Sequence, residues 1–168
     1  MVTQWVTRPE TPADIPAIRQ VNLSAFPTAL EADLVDALRT DPAWIPEFSI
    51  VAQDEGVVTG YALLTRCHVD DAPALALAPC AVLTQSQGRG AGGAAIRAAL
   101  AAAQSAGENL VLVLGHPEYY PRFGFRPAST FSIRAPFDVP DAAMMALAFD
   151  NDKPVPSGTI RYAAPFNV

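Results

Sequence analysis

Cysteine is scarce in this chain, and so is charge. Only Cys67 and Cys80 occur in 168 residues, which excludes a disulfide framework, and no Cys/His spacing resembles a zinc site. Both read as small packed hydrophobes, and no metal is expected. Charged residues make up 17% against 51% hydrophobic, too apolar a balance for a chain disordered throughout. Charged or turn residues interrupt every apolar run before it reaches membrane-spanning length, so no membrane partner is expected. There is no Lys/Arg cluster and the net charge is −6, which argues against nucleic acid as a partner. It does not argue against a phosphate-bearing ligand, because backbone amides can hold one. The start, Met1-Val2-Thr3-Gln4-Trp5, lacks the basic stretch and apolar core of a signal peptide, so a cytoplasmic location is the expectation. The length suits one domain with a real core, residues 1–168, and neither a repeat nor a linker divides it.

What is present is a patterned α/β chain. Gln4 to Arg8 reads as a first strand. Thr11 and Asp14 offer helix-starting chemistry before the apolar series Ile15, Ile18, Val21, Leu23 and Phe26. A second amphipathic helix spans Ala29 to Arg39, with Leu30, Leu34, Val35 and Leu38 on one face. Phe48 to Ala52 and Val57 to Thr65 read as strands joined at Asp54-Glu55-Gly56, and a second hairpin turn at Asp70-Asp71 leads into the apolar run Ala74 to Leu83. A helix from about Gly90 to Ala106 follows, with Gly107 as its stop. Leu110 to Leu114 is a fully apolar strand, which makes strand, helix and strand a parallel crossover unit. Pro117 to Phe123 reads as a short helix, and Phe125 to Arg134, Met144 to Phe149 and Thr159 to Tyr162 as strands.

The most informative stretch is Gln87-Gly88-Arg89-Gly90-Ala91-Gly92-Gly93. A glycine-dense loop opening a helix aims unpaired N–H groups and the positive end of a helix dipole at one point, which suits a phosphate. Glycine at Gly92 and Gly93 costs helix stability, on the order of 1 kcal/mol each, a cost that makes sense if a ligand approaches the backbone closely. Gly88, Gly90 and Gly93 also fit G-x-G-x-x-G. That dinucleotide fingerprint requires an acidic residue at the end of the next strand. Here Glu108 precedes the strand and Gly115-His116 follows it. No Gly-Lys-Ser/Thr is present, so the phosphate-loop motif fails too.

The pattern Gln87-x-x-Gly90-x-Gly92 resembles the acyl-CoA pyrophosphate loop of the GNAT N-acetyltransferase superfamily. Leu77-Ala78-Pro79-Cys80-Ala81-Val82 is similar to that family's fourth strand, although the family often has proline where Thr84 stands. Phe48-Ser49-Ile50-Val51-Ala52 with Gly60-Tyr61-Ala62 resembles its second and third strands, and Tyr120-Pro121-Arg122-Phe123-Gly124-Phe125 its tyrosine followed by Gly-Phe. The tail, through Pro136 to Pro140 and Ser157 to Tyr162, resembles a bacterial single-domain branch.

The resemblance implies an α/β (α+β) domain: a central, twisted, mixed but mostly antiparallel sheet, helices on both faces, and fourth and fifth strands splayed apart. It implies direct transfer of an acyl group, usually acetyl, from acetyl-CoA to a primary amine in a ternary complex. Gln87 and the amides of Gly88, Arg89, Gly90, Ala91, Gly92 and Gly93 would cradle the pyrophosphate, with Arg89 adding charge. Main-chain groups of Ala81, Val82 and Leu83 would meet the pantetheine, with the Val82 N–H at the thioester carbonyl oxygen. Tyr120 would be the general acid: an ordinary phenol, pKa about 10, stays protonated at neutral pH and can supply a departing thiolate. Tyr119 beside it fits a packing role. The base stays open among Glu31, Asp33, His116 and Glu118, while His68 reads as solvated. Homodimers are common in the family. The alternative function is an acyl-CoA-binding regulatory or vestigial module of the same fold.

Overall fold

The computed structural model describes residues 5–168. A first strand, β1 (Val6–Pro9), leads through a 3-10 turn into helices α1 (Ile15–Ala25) and α2 (Leu30–Arg39). The expected start of β1 at Gln4 lies outside the described residues. The turn is set by Asp14, whose carboxylate accepts from the Thr11 N–H at 2.7 Å, the Thr11 hydroxyl at 3.0 Å and both terminal nitrogens of Arg8, at 2.6 and 2.9 Å. The Arg8 guanidinium, with Thr11 adding to it, holds this carboxyl well below the ordinary carboxylate range. A depressed folded-state value means that the stabilisation is present above the unfolded pKa of about 3.9 and is lost as pH falls below it. Asp14→Ala is expected to lower stability by about 2 kcal/mol at neutral pH, the worth of hydrogen bonds to a charged group. In denaturant titrations its gap to the wild type should narrow below about pH 4.

The sheet begins as a meander. Strands β2 (Ser49–Asp54), β3 (Val57–Val69) and β4 (Ala72–Val82) are successive antiparallel neighbours, with β1 on the outer edge of β2. Helix α3 (Ala91–Ser105) returns the chain to β5 (Leu110–Leu114), which runs parallel to β4. The tail adds β6 (Arg126–Pro127), β7 (Ile133–Arg134), β8 (Met144–Ala148) and β9 (Gly158–Arg161). The main path runs β1-β2-β3-β4-β5-β8-β6. Beyond the reach of β2, the far end of β3 pairs with β9 at His68 and Val69, and β7 pairs with β9. With one parallel pair in its main path, this sheet is mixed but mostly antiparallel, as expected.

The stretch expected as one strand from Phe125 to Arg134 is broken in two. A 3-10 turn, Ala128–Phe131, and Ser132 at φ +59° separate β6 from β7, so the chain leaves β8 and joins β9. Pro127 has no N–H to continue a ladder, which explains why β6 stops there.

Helix α3 lies on one face of the sheet. Its alanines at 95, 99 and 103 pack with Ile96 and Leu100 against Ile50, Leu64, Leu75, Leu77, Val111 and Val113. Helices α1 and α2 cover the other face through Ile18, Val21, Val35 and Leu38, against Val51, Tyr61, Leu63 and Ala81. A third cluster, formed by the tail against Ala74, Ala76, Leu110 and Leu112, fills the remainder of that second face. At Gly60 in β3, an added Cβ would lie 3.0 Å from the carbonyl oxygen of Ala91. This glycine lets the start of α3 descend onto the sheet, and so fixes the height of the loop before it.

Candidate active site

The site originates in a defect of β4. Its parallel pairing with β5 is confined to Leu75–Val111 and Ala76–Leu112, after which the two strands splay. Where they part, Ala78 and Pro79 together stand opposite Leu63, because the partner of Leu64 is Leu77 and that of Ala62 is Cys80. Two residues against one is a β-bulge, a position that tolerates proline. The bulge reverses the alternation of side chains. Before it, Ala76 faces the tail cluster and Leu77 faces α3; after it, Cys80 packs on the α3 side and Ala81 on the α1/α2 side.

The same alternation orients the main chain. The Leu83 N–H donates to the Thr59 carbonyl at 2.8 Å, and the Leu83 carbonyl accepts from Ser86 at 2.8 Å. Antiparallel neighbours alternate between bonded and non-bonded pairs. The Tyr61–Ala81 pair is therefore bonded, whereas Val82, opposite Gly60, turns its N–H and carbonyl away from β3 towards the gap. Of Ala81, Val82 and Leu83, Val82 faces its main-chain groups to the gap, Ala81 turns its own to β3, and Leu83 gives its N–H to β3 and its carbonyl to Ser86.

At the mouth of the gap the glycine loop forms a concave rim. Gly88 and Gly90 have φ +81° and +93°, a conformation that L side chains rarely adopt, and Gly90 is the N-cap of α3. Such left-handed residues within a turn gather successive N–H groups into an anion-binding nest. The first intrahelical bond runs from the Ala94 N–H to the Gly90 carbonyl at 3.0 Å. That leaves the Ala91, Gly92 and Gly93 amides at the helix start, without intrahelical acceptors. A Cβ on Gly92 would lie 3.0 Å from a Val82 methyl, so this glycine lets the helix end meet the end of β4.

A cleft of about 330 Å³ lies over this rim, bounded by Gln87, Gly88, Gly90 and Gly93 of the loop and by Arg97, Tyr119 and Arg122. Arg89 contributes main chain to the loop but does not line the cleft. Its carbonyl accepts from the Trp5 indole N–H at 3.1 Å, and its guanidinium lies 6.0 Å from the Trp5 ring centroid. The positive side chains at the cleft are instead Arg97, over the Phe123 ring at 4.9 Å, and Arg122, over the Tyr119 ring at 4.3 Å. Neither was expected. Arg97 had a signal, since it follows Gly93 by four residues and so shares its helix face.

A second cleft, about 430 Å³, continues along the gap between Cys80, Val82, Phe26, His116, Tyr119 and Tyr120. Val82, Gln87, Gly92 and Tyr119 border both clefts, so the two form one groove. Tyr119 packs against the core as expected and also borders both clefts. Its hydroxyl lies 3.8 and 3.9 Å from the Cβ positions of Gly92 and Gly93, beside the helix start.

Tyr120 opens a 3-10 turn, Tyr120–Phe123, whose entry is pinned by the N–H groups of Tyr119 and Tyr120, both donating to the His116 carbonyl at 3.1 and 3.3 Å. The Tyr120 side chain is half-buried and shares the lining of this cleft with the Cys80 thiol. Burial, and next the neighbouring thiol, push the phenol above its ordinary value. Burial likewise pushes the Cys80 thiol up to about 12. Both groups are therefore protonated at neutral pH. Cys67 is a core residue and Cys80 packs against the α3-side core, as expected, while Cys80 also lines the groove.

The Tyr120 ring rests on Gly115, where an added Cβ would collide with it. Gly115 is not in the left-handed region, so alanine would bring the collision and no backbone strain. Gly115→Ala is expected to displace the phenol and, if that phenol acts in catalysis, to lower kcat about 30-fold, since a misplacement near 1 Å is worth up to 100-fold. Affinity for a ligand at the glycine rim should be unchanged, and calorimetry beside steady-state kinetics checks both.

Four candidate bases were in view. Asp33 is exposed and paired with Arg19 at 3.0 Å. Glu118 is exposed and does not border the groove. His116 lines the groove, and Glu31 has one carboxylate oxygen buried without a partner. His68 lies elsewhere, in β3 opposite Arg161. Among the described residues no group of three His, Cys, Asp or Glu side chains gathers into a metal site, and no helix is long and apolar enough to cross a membrane.

The comparisons with known proteins point the same way as the groove. The family model described as acetyltransferase (GNAT) family matches residues 15–125. The chain is 37% identical over 161 residues to the N-acetyltransferase YjhQ of Escherichia coli, covering 91% of this chain and 89% of the relative. It is 30% identical to YhbS of the same species over 164 residues, 95% and 97% of the two chains. The crystal structure of E. coli YhbS in complex with CoA superposes with a TM-score of 0.91 at 28% identity, over 100% of this chain and 94% of that one. A GNAT family acetyltransferase from Brucella melitensis in complex with acetyl-CoA gives 0.80 at 32% identity, over 98% and 99%. With its splayed β4 and β5 and its glycine rim at the start of α3, the chain belongs to the GNAT acetyltransferase family.

Proposed function

We propose that residues 1–168 act as one domain that transfers an acetyl group from acetyl-CoA to a primary amine within a ternary complex. The observation that carries this reading is the continuity of the groove: an amide rim flanked by arginines at one end, a protonated phenol at the other. The CoA and acetyl-CoA bound by the two similar structures support the donor.

Each part of the groove has a task in that reaction. The amides of Gly88 to Gly93 and the arginines Arg97 and Arg122 hold the pyrophosphate. The Val82 main chain, facing the gap, meets the pantetheine and offers its N–H to the oxygen on which charge develops. As the amine nitrogen bonds to the carbonyl carbon and the carbon–sulfur bond breaks, Tyr120 gives its proton to the departing thiolate. Cys80 is no nucleophile, because its thiol stays protonated far above neutral pH. The acyl group thus passes directly to the amine.

Thiol release from acetyl-CoA, followed across a panel of amines, tests the proposal. Amine-dependent release supports it. Calorimetric binding without release to any amine favours the alternative, a module that binds acyl-CoA without turnover. The absence of binding overturns both. The same assay identifies the base. If His116 accepts the amine's proton, His116→Ala should lower kcat/KM about 100-fold and Glu31→Gln hardly at all. The reverse result assigns Glu31.

A further inference from the structure

A cavity of about 230 Å³ lies on the face of the sheet away from α3, at the point where β4 and β5 part. Its floor is Ala76 and Ala78 of β4 and Leu114 of β5, and its walls are Phe137, Tyr162 and Phe166 from the tail. The rings pack side by side, Phe137 on Tyr162 at 6.1 Å and Tyr162 on Phe166 at 5.3 Å between centroids. Leu114 ends a central strand, yet it is 46% exposed. No acidic or basic side chain lines the cavity. Burial pushes the Tyr162 phenol up, so it too stays neutral, and its hydroxyl is engaged with the Met144 sulfur at 3.8 Å.

Two features tie this cavity to the groove. Ala78 is two residues from Cys80 and Leu114 two residues from His116, and both Cys80 and His116 line the thioester end of the groove. Two residues of chain reach at most about 7 Å, so the cavity floor lies within about 7 Å of those residues, the span of two or three carbon–carbon bonds plus a ring edge. The cavity is also the right size for a cyclic or branched group, because an apolar cavity of about 150 Å³ already admits benzene. A charged arm would be desolvated there with no acidic or basic side chain to pair with, since Val168 completes an otherwise apolar and aromatic lining.

Resting on the proposed acetyl transfer, we infer that the acceptor is an amine with an aryl or branched alkyl group two or three bonds from its nitrogen, and that this group occupies the cavity beside Leu114. The amine then meets the thioester from the face opposite α3. Apolar complementarity, not charge, selects the acceptor.

The experiment compares kcat/KM for 2-phenylethylamine and 3-methylbutylamine with that for ethanolamine and putrescine, in the wild type, Leu114→Trp and Leu114→Ala. Acetyl-CoA affinity is measured by calorimetry on each protein. In the wild type the apolar amines should be favoured about 30-fold, the worth of burying such a group. Leu114→Trp, which fills the cavity, should reduce that preference at least about tenfold and leave ethanolamine turnover and acetyl-CoA affinity unchanged. Leu114→Ala, which enlarges it, should move the optimum to bulkier arylalkylamines and keeps the test valid if tryptophan is not accommodated. Equal use of polar and apolar amines overturns the inference and leaves the acetyltransferase reading intact. So does a Leu114→Trp variant whose preference among acetyl-, butyryl- and octanoyl-CoA shifts while its amine preference stands, since the cavity then holds the donor's acyl chain. Failure to bind acetyl-CoA at all overturns both.

Discussion

Tyr120→Phe is expected to lower kcat by about 10²- to 10³-fold, the range of a positioned general acid, while acetyl-CoA affinity stays within about twofold of the wild type. The asymmetry follows from where the hydroxyl acts. Phenylalanine keeps the ring that packs with Tyr119, Phe123 and Phe125 and rests on Gly115. It removes only the proton needed as the carbon–sulfur bond breaks, an interaction made in the transition state. The pH dependence has a definite sign. A donor must be protonated to act, and burial raises this phenol, so the group loses its proton only above the ordinary value of about 10. No decline in kcat assignable to Tyr120 should therefore appear below about pH 10. Wild-type turnover in the variant with a true acceptor would reject Tyr120 as the acid and pass the role to Tyr119 or to water.

Gly90→Val should weaken acetyl-CoA binding by about 10²-fold or more. Holding the left-handed conformation costs an ordinary residue about 1–2 kcal/mol, and a β-branched one more. Each charge-assisted contact to a misplaced amide adds about 1.5–3 kcal/mol. The effect is one of backbone and not of bulk: among the described residues a Cβ at Gly90 would meet only the Trp5 indole nitrogen, at an ordinary 3.5 Å. Gly90→Asn, which tolerates φ +93° far better, should retain most of the affinity. Calorimetry on folded protein decides. Wild-type affinity in Gly90→Val, or equal losses in both variants, would remove the loop from the binding site.

The sequence carried the parts of this site that are local. Glycine density ahead of an alanine-rich segment marked the start of α3, Gly107 its end, and the Tyr120-to-Phe125 motif the proposed acid. Periodicity located α1, α2 and the meander of β2, β3 and β4 to within a few residues. What stayed hidden arises where separate elements meet. Arg97 and Arg122 join one cleft only because the Tyr120–Phe123 turn packs beside α3. Cys80 reads as one more apolar residue of a strand until the bulge turns it towards Tyr120. The bulge likewise decides which amides face the gap. Counting along an unbroken strand could not separate Val82 from its neighbours Ala81 and Leu83. Composition suggested a strand through Ser129 and Thr130, but Pro127 and the left-handed Ser132 broke it.

The bulge at Ala78 and Pro79 has one more implication, for solubility. A strand that stops pairing halfway exposes backbone donors and acceptors along a row, the kind of edge through which proteins zip together into aggregates. In β4 that edge is Cys80 to Val82, and it opens into the interior of a narrow groove and not onto a flat rim. Under the proposed function, the two amides of the pantetheine complete the row as a guest strand would. The groove thus admits a slender amide-bearing chain and denies the same edge to another protein.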